Sequence, residues 1–382
     1  MKIVYCIDSI SGFGGIQKIT VLKAGLLADI PGNEVWIIRA DSSGTVQFYI
    51  SPKVKVIDLH IDYYADDWKS KWHVLKGIFI KRRLHKARLK THLRAIAPDI
   101  VISVGQSEKN ILPRIKGQWK SIREYHFQRK YRILHATGPF NKVLAWAGDL
   151  YERLFSLKLY DRIVLLTEED KRLNWQGNNK VTVIPNPISV NSSGKPNLQI
   201  HRVISVGRLT KPKNYPSLVR AFAIVVRKHP DWVLDIFGSG NEEGIIKKEI
   251  SLNGLENKVR LQGASGKVEE EMRNASIFAM TSVYEGLPLV LLEAISCGMP
   301  VTAYACPCGP KDIITDGKDG FLVPIGDEKL LAEKICRLIE DEPLRQQIGQ
   351  AALLRSQDFA PGLIIDKWMD LFLSLTSDVR PA

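Results

Sequence analysis

Short apolar runs alternate with longer amphipathic stretches along this chain. Lys2–Ile7 and Ile100–Val104 have the length and composition of buried strands, and Arg202–Val206 and Ile277–Met280 repeat the pattern in the second half. Strands that are apolar throughout are typical of parallel sheets covered by helices on both faces. The alternation in both halves predicts two doubly wound α/β domains, with strand ends that face a central cleft where ligands of such folds bind.

A polar stretch near the middle of the chain marks the domain boundary. Asn191–Gln199 is rich in Ser, Gly, Pro and Asn, which favour turns and linkers. We therefore expect an N-terminal domain over residues 1–190 and a C-terminal domain over residues 191–360.

One predicted helix carries an acidic residue that its apolar neighbours do not explain. Pro288 is suited to open this helix and Gly298 to end it. Glu293 lies in the middle, and a buried carboxylate needs partners because its desolvation is costly. Glu285 lies in the preceding loop, where the free amides at a helix start attract anions. Two acids around such amides suit a ligand with a phosphate and hydroxyl groups, although a buried Glu that serves an internal Arg or Lys is an alternative.

A basic loop follows the first strand of the second half. Arg208 and Lys213 stand five residues apart, after Gly207 and before a predicted helix. Cations and amides in this arrangement are typical of a pyrophosphate clamp, and a solvated surface loop is the alternative. Gly238 ends the next strand, where a flat base could lie against bare backbone.

Two positions in the first half are candidates for ligand contact. Gly15 ends a glycine-rich turn after the first strand, but Gln17 stands where the dinucleotide fingerprint requires its third glycine. His126 follows a strand end, where open α/β sheets place ligand groups. An ordinary polar loop residue explains His126 equally well.

Composition limits the class of protein. The 382 residues suit two domains, and no apolar run reaches the 18 residues of a membrane span. The first residues predict a strand rather than a signal peptide. The five cysteines form neither a disulfide framework nor a zinc motif, which favours the cytoplasm. The sequence contains no Asp-x-Asp, so no metal-binding carboxylate pair is predicted.

The positive charge is concentrated in the first half. Residues 1–185 contain 31 Lys and Arg against 17 Asp and Glu, a net charge of +14, whereas residues 186–382 carry −1. Six cations lie within residues 81–90 alone, on a predicted helix whose apolar stripe is Leu84, Leu89, Leu93 and Ile96. This helix is either a solvated surface helix or one that rests on anionic lipid.

The second half resembles a known enzyme family. Glu285-x7-Glu293, within Tyr-Glu-Gly-Leu-Pro-Leu-Val-Leu-Leu-Glu-Ala, is similar to the acidic motif of the retaining glycosyltransferases of family GT4, which have the GT-B fold. Gly298-Met-Pro-Val301 and Asp316-Gly-Lys-Asp-Gly-Phe-Leu-Val-Pro324 continue the likeness. Gly207-Arg208-Leu with Lys213 matches another motif of the family. The resemblance further implies that residues 361–382 form a helix that crosses back to the N-terminal domain.

The resemblance assigns roles to these residues. Arg208 and Lys213 would hold the diphosphate of the donor and stabilise the leaving group, and Glu293 would accept the ribose hydroxyls. Glu285 would face the sugar. The remaining donor contacts would come from Gly15 near the donor phosphate, Gly238 at the base, and the backbone of Gly286, Leu287, Pro288 and Leu289. His126 would lie beside the reacting sugar.

The predicted function is therefore sugar transfer with retention of configuration, from a nucleoside diphosphate donor to an acceptor held by the N-terminal domain. UDP is favoured because similar enzymes use it, and no metal or other cofactor is expected. The charge distribution favours a lipid-linked saccharide acceptor at the cytoplasmic face of the membrane, in the synthesis of a surface polysaccharide or glycan. The alternatives are an epimerase or hydrolase of sugar nucleotides, and a non-catalytic nucleotide-sugar or nucleic-acid binder.

Overall fold

Most of the predicted linker and several other short stretches lie outside the described residues. The computed structural model describes residues 1–12, 14–63, 71–129, 133, 136, 138–189 and 196–377. Most of Asn191–Gln199 is therefore outside the described residues. In the described ranges, no helix is both long and apolar enough to cross a membrane.

The first sheet has seven parallel strands in the order β3-β2-β1-β4-β5-β6-β7. The strands are β1 Lys2–Ile7, β2 Glu34–Arg39, β3 Val54–Asp58, β4 Ile100–Ser103, β5 Lys120–Glu124, β6 Arg162–Leu165 and β7 Val181–Val183. The helices of this part of the chain are α1 Gly15–Asp29, α2 Lys71–Ile96, α3 Pro139–Tyr151 and α4 Glu168–Asn174. A π-helical turn, Glu152–Ser156, and a 3-10 turn, Leu157–Leu159, continue directly from α3.

The second sheet has six parallel strands in the order β10-β9-β8-β11-β12-β13. They are β8 Arg202–Val206, β9 Val233–Phe237, β10 Val259–Gly263, β11 Ile277–Met280, β12 Val301–Tyr304 and β13 Phe321–Val323. Its helices are α5 Tyr215–Lys228, α6 Glu243–Leu252, α7 Val268–Arg273, α8 Leu289–Ser296, α9 Pro310–Ile313, α10 Glu328–Glu340 and α11 Glu342–Ser356, and α12 Pro361–Ser377 follows. The prediction of two doubly wound α/β domains is confirmed.

The chain divides into two compact units that are not continuous in sequence. Unit 1 contains residues 1–166, 173–187 and 361–382, and unit 2 contains residues 167–172 and 188–360. The short segment 167–172 groups with unit 2 because Glu169 pairs with Lys311 at 2.9 Å and accepts a hydrogen bond from the Cys308 amide. Such a tertiary contact has no signature in the local sequence.

Each face of the first sheet is covered by its own apolar cluster. Tyr5 and Ile102 point to the face where Trp368 of α12 is fully buried, whereas Val4 and Val101 point to the opposite face, against Leu93 of α2. The predicted stripe on α2 is wrong at one position: Leu84 is 37% exposed and His85 is buried. His85 takes that place because its Nδ1 bonds the Tyr63 hydroxyl at 3.0 Å.

Both sheets reverse their strand order beside the first strand of the unit. The reversal lies between β1 and β4 in unit 1 and between β8 and β11 in unit 2. In open α/β sheets, ligands bind outside the carboxyl ends of the strands at such a switch point. The loops that follow these four strands therefore lie where ligands bind in such folds.

Candidate active site

The basic loop of unit 2 is ordered by backbone hydrogen bonds. After β8, the Gly207 amide donates to the Phe237 carbonyl at 2.9 Å, and a 3-10 turn, Lys211–Lys213, leads into α5. The Thr281 hydroxyl, from the end of β11, donates to the carbonyl oxygens of Lys213 and Asn214, each at 3.1 Å. The loop is thus held in place before any ligand binds.

Gly238 is required by the packing of this loop. A Cβ atom added at position 238 would lie 1.9 Å from the carbonyl oxygen of Gly207, and φ is 146°. No other residue fits without moving the backbone. The close approach of the two loops is therefore sufficient to explain glycine at position 238. The contact with a nucleotide base, which the sequence predicts, is not needed for this explanation.

Lys213 and Glu285 form an ion pair at the switch point of the second sheet. The Lys213 Nζ lies 2.6 Å from the Glu285 Oε1, and the two side chains are 18% and 15% exposed. The pair forms because β8 and β11 are neighbours, so that the loops after them meet. Arg208, on the same loop as Lys213, is exposed and makes no ion pair with any described residue.

The backbone around the start of α8 offers amides to a ligand. Gly286 and Leu287 are buried, and α8 begins at Leu289 after Pro288. Within the described part of the chain, the amides of Gly286, Leu287 and Leu289 have no hydrogen-bond partner. Pro288 has no N–H, so a donor contact at this residue would come from its other atoms. Pro288 is also the N-cap residue of α8.

Glu293 is buried in the middle of α8, as its apolar neighbours predict. The side chain is 7% exposed, and its Oε1 accepts a hydrogen bond from the Ser189 hydroxyl at 2.7 Å. Ser189 could not be identified as this partner from the sequence because it lies 104 positions away. A carboxylate that already accepts from one hydroxyl is suited to accept from the hydroxyls of a sugar ring.

The two candidate residues of unit 1 lie near one small cavity. Gly15 opens α1 after β1 and is exposed, and its neighbour Ile16 lines a cavity of about 40 Å³. His126, two residues after β5, lines the same cavity and is 8% exposed. The fold therefore brings the start of α1 and His126 to the same edge of the first sheet.

A buried pair of charges supports His126. Lys23 of α1 is fully buried and forms an ion pair with Glu124, at the end of β5. The Glu124 Oε1 lies 3.3 Å from the His126 Nε2. This trio was not predicted from the sequence, although Lys23 lies four residues from both Ile19 and Leu27 on the apolar face of α1, where a lysine needs a partner.

Burial keeps the His126 ring neutral. Desolvation lowers the pKa of His126 to about 4, although the nearby Glu124 carboxylate acts in the opposite direction. At neutral pH the imidazole therefore carries no charge, and it can offer one donor and one acceptor. This form suits a hydrogen bond to a sugar hydroxyl better than proton donation to a leaving group.

Stability should consequently depend on pH through this histidine. The folded-state pKa of His126, about 4, is below the ordinary value of a histidine. The contribution of His126 to the free energy of unfolding is therefore complete above about pH 6.5 and is lost as the pH falls. Between pH 6.5 and 5 the loss should be about 2 kcal/mol, at roughly 1.4 kcal/mol per pH unit. Urea unfolding at pH 7 and pH 5 measures it as the difference between the wild type and His126→Gln.

The comparison with the variant is needed because another buried group opposes the effect. Burial raises the pKa of Glu108 to about 7, so that this residue favours the folded state as the pH falls below 7. His85, with a pKa lowered to about 4 by burial, acts in the same sense as His126. An equal pH dependence in the wild type and His126→Gln would contradict a buried neutral His126.

The possible metal ligands lie apart from these residues in the sequence. Among the residues that the structure describes, His229, Cys336 and Glu340 are the group whose ligand atoms lie within 4.8 Å of one another. They belong to the end of α5 and to α10, and none of them is a predicted donor-site residue.

Comparison with known proteins relates the chain to sugar-transferring enzymes. Residues 193–355 match the family model of the glycosyl transferases group 1. An uncharacterized glycosyltransferase of Haemophilus influenzae is 32% identical over 372 residues, which cover 96% of this chain and 98% of that protein. An exopolysaccharide phosphotransferase of Streptomyces coelicolor is 36% identical over 321 residues, which cover 83% of this chain and 32% of that protein, so the chain spans about a third of its length.

A solved structure is similar over almost the whole chain. It is that of a variant of S. aureus TarM in complex with fondaparinux, alpha-GlcNAc-glycerol and UDP. The TM-score is 0.77, with 97% of this chain and 99% of the other covered at 16% sequence identity. At this identity the likeness concerns the fold.

Proposed function

The chain belongs to the group 1 glycosyltransferases and has their GT-B fold, and on this basis we propose that it is a retaining GT4-type enzyme with a UDP-sugar donor. The acceptor is a lipid-linked saccharide in the synthesis of a surface polysaccharide. The names of the relatives support this proposal, since one is an exopolysaccharide phosphotransferase and the TarM complex contains UDP and a GlcNAc glycoside.

The Lys213–Glu285 ion pair is the main observation in support of a nucleoside diphosphate donor. Glu285 holds the lysine ammonium in a partly buried position, beside exposed Arg208 on the same loop. A diphosphate that enters here gains two cations, and the fixed position of Lys213 lowers the cost of ordering it. As the diphosphate takes over Lys213, the Glu285 carboxylate becomes free to accept a hydroxyl of the donor sugar.

The remaining donor contacts surround this pair. Glu293 accepts the ribose hydroxyls in place of the Ser189 hydroxyl, and Gly238 lies at the base. The amides of Gly286, Leu287 and Leu289 bind the sugar or its phosphate. Gly15 contacts the donor phosphate from unit 1, and His126 contacts the sugar as a neutral imidazole.

The reaction replaces one bond at the anomeric carbon by another on the same face. The bond from this carbon to the diphosphate oxygen breaks, the bond to the acceptor oxygen forms, and the acceptor proton passes to the leaving phosphate. Arg208 and Lys213 stabilise the charge that builds up on the diphosphate. Because these two cations neutralise the leaving group, the proposed reaction requires no metal ion.

The acceptor is bound by unit 1 at the inner face of the cell membrane. The charge of +14 in residues 1–185 supports this part of the proposal, together with the exposed Arg82, Arg83, Lys86 and Lys90 of α2. Anionic lipid attracts such clusters, by about 1 kcal/mol for each cation near the surface.

A panel of nucleotide-sugars tests the donor and the stereochemistry together. UDP-sugars should raise the unfolding temperature, since binding at 100 times Kd stabilises the folded state by about 2.7 kcal/mol. With the donor found in this way, turnover should persist in EDTA, and NMR of the product should show the anomeric configuration of the donor. An inverted product would contradict the retaining mechanism. Donor breakdown at the same rate with and without an acceptor would favour a hydrolase.

A further inference from the structure

The segment 139–159 of unit 1 exposes an unusual amount of apolar surface. None of the thirteen residues of α3 is buried. The exposed apolar side chains of the segment, with exposures from 42% to 73%, are Phe140, Val143, Leu144, Trp146, Tyr151, Leu154, Phe155 and Leu159. Isolated apolar residues are normal on a protein surface, but a contiguous group of this size marks an interaction site.

The segment is firmly attached to unit 1 at its C-terminal end. Glu152 pairs with Lys109 and accepts a hydrogen bond from the Tyr125 hydroxyl. Ser156 and Leu157 are buried, and the Tyr160 hydroxyl donates to the Lys109 carbonyl at 2.8 Å. The exposed side chains are therefore presented by an anchored element.

The acids of the segment are paired with cations of unit 1, whereas its own cations are not paired. Both of its acids are held by cations of unit 1, Asp149 by Arg129 at 3.0 Å and Glu152 by Lys109. Its cations, Lys142, Arg153 and Lys158, are exposed and make no ion pair with any described residue. The outer side of the segment is thus apolar and positively charged.

A polar cavity of about 530 Å³ borders the segment. Its lining includes Arg153, Lys158 and Lys180, and contains no carboxylate. Trp175, which also lines it, is 4% exposed, and its indole Nε1 has no hydrogen-bond partner among the described residues. These donors and cations suit the phosphate of a lipid headgroup.

We propose that segment 139–159 is the face by which unit 1 docks on the surface of an anionic bilayer. The apolar side chains enter the boundary between headgroups and acyl chains, and the cations bind lipid phosphates. This inference rests on the proposed lipid-linked acceptor, because it brings unit 1 to the membrane that carries such an acceptor. It assigns the direct contact with the bilayer to this segment, whereas the cations of α2 contribute only to the longer-range attraction.

Charge complementarity favours a bilayer over a second copy of the chain. In a symmetric dimer through this face, the unpaired Lys142, Arg153 and Lys158 would meet the same residues of the partner, because such an interface is formed by the same patch on both subunits. The two acids that could balance them are already held within unit 1. An anionic bilayer provides both the apolar layer and the negative charge.

Vesicle binding by the full-length protein tests the proposal. The wild type should cosediment with vesicles of phosphatidylcholine and phosphatidylglycerol at low salt, and much less with phosphatidylcholine alone. The variants Leu144→Ser with Phe155→Ser, and Arg153→Gln with Lys158→Gln, should each weaken binding at least tenfold. All four side chains are exposed, so the fold should persist. Matched controls in unit 2, Leu252→Ser with Leu354→Ser and Lys248→Gln with Lys329→Gln, should bind like the wild type.

Tryptophan fluorescence locates the contact independently. Trp146 is 58% exposed, whereas Trp36, Trp175, Trp232 and Trp368 are buried. Lipids with brominated acyl chains should quench part of the emission, and Trp146→Phe should abolish most of that quenching while binding is retained. Quenching that is unchanged in Trp146→Phe would overturn the assignment.

Two further results would overturn the proposal. One is loss of vesicle binding in Arg82→Gln with Arg83→Gln but not in the segment variants, which would assign docking to α2. The other is a wild type that ignores anionic vesicles but forms a dimer that Leu144→Ser with Phe155→Ser dissociates. Sugar transfer to a lipid-linked saccharide solubilised in detergent, which requires no vesicle, is assayed separately. Transfer without vesicle binding refutes only the docking face, and vesicle binding without transfer refutes only the proposed function.

Discussion

Replacement of Lys213 by alanine should lower kcat/KM for the donor by about 10- to 100-fold. A charge-assisted hydrogen bond contributes roughly 1.5–3 kcal/mol, and each 1.4 kcal/mol is a tenfold change in rate. The effect should be at the upper end of this range, because Lys213 stabilises charge that develops as the diphosphate leaves and because Glu285 then remains in the site without its partner. Steady-state kinetics with a saturating acceptor measures the change.

Lys211→Ala is the matched control for this experiment. Lys211 belongs to the same 3-10 turn but is exposed, so its loss alters the local charge equally without removing the ion pair with Glu285. It should retain most of the activity. If both variants lost activity to the same extent, the effect would come from the general field of the loop, and the assignment of Lys213 to the diphosphate would be wrong.

Replacement of Lys23 by methionine should destabilise unit 1 by about 3–5 kcal/mol. Methionine fills a similar volume and packs against the Trp368 ring, which the lysine Nζ now approaches to 4.9 Å. However, the substitution leaves the Glu124 carboxylate buried without its cation, and a single buried charge costs far more than a pair. Chemical unfolding monitored by circular dichroism measures the loss.

The double variant Lys23→Met with Glu124→Gln separates packing from charge. The double variant should recover most of the stability lost in Lys23→Met, because no buried charge is left without a partner. Lys53→Met is the control, because Lys53 pairs with Asp29 at the surface, where both side chains are 59% exposed, and such a pair contributes at most about 1 kcal/mol. A double variant that is no more stable than Lys23→Met would show that the loss does not come from the unpaired Glu124 carboxylate, and would contradict the prediction.

The sequence predicted those features that depend on local pattern. Apolar runs specified the parallel strands, because a strand buried on both faces must be apolar throughout. Glu293 stood out because α8 is otherwise apolar, and its burial follows from the same periodicity. The predicted roles of Arg208, Lys213 and Glu285 rest on family motifs and stay predictions, although the ion pair of the last two is a property of the fold.

Contacts between distant segments could not be predicted in the same way. Ser189 reaches Glu293 across 104 positions, and segment 167–172 joins unit 2 through Glu169. The exposure of α3 was also beyond the sequence, because an apolar helical pattern predicts burial and gives no sign that the surrounding core is already filled. Lys23 was visible as a lysine on an apolar face, but its partner Glu124 lies 101 positions away.

The return of α12 to unit 1 has a consequence for synthesis on the ribosome. The first-sheet core includes Ile364, Trp368 and Phe372, which are translated only after the whole of residues 188–360. Residues 1–187 thus leave the exit tunnel with one face of their sheet covered by α1 but without the cover that α12 supplies, and this core stays incomplete while unit 2 is made. Unit 2 has its own core within residues 203–348 and can fold first. The order in which the two halves reach their final state is therefore the reverse of the order in which they are translated.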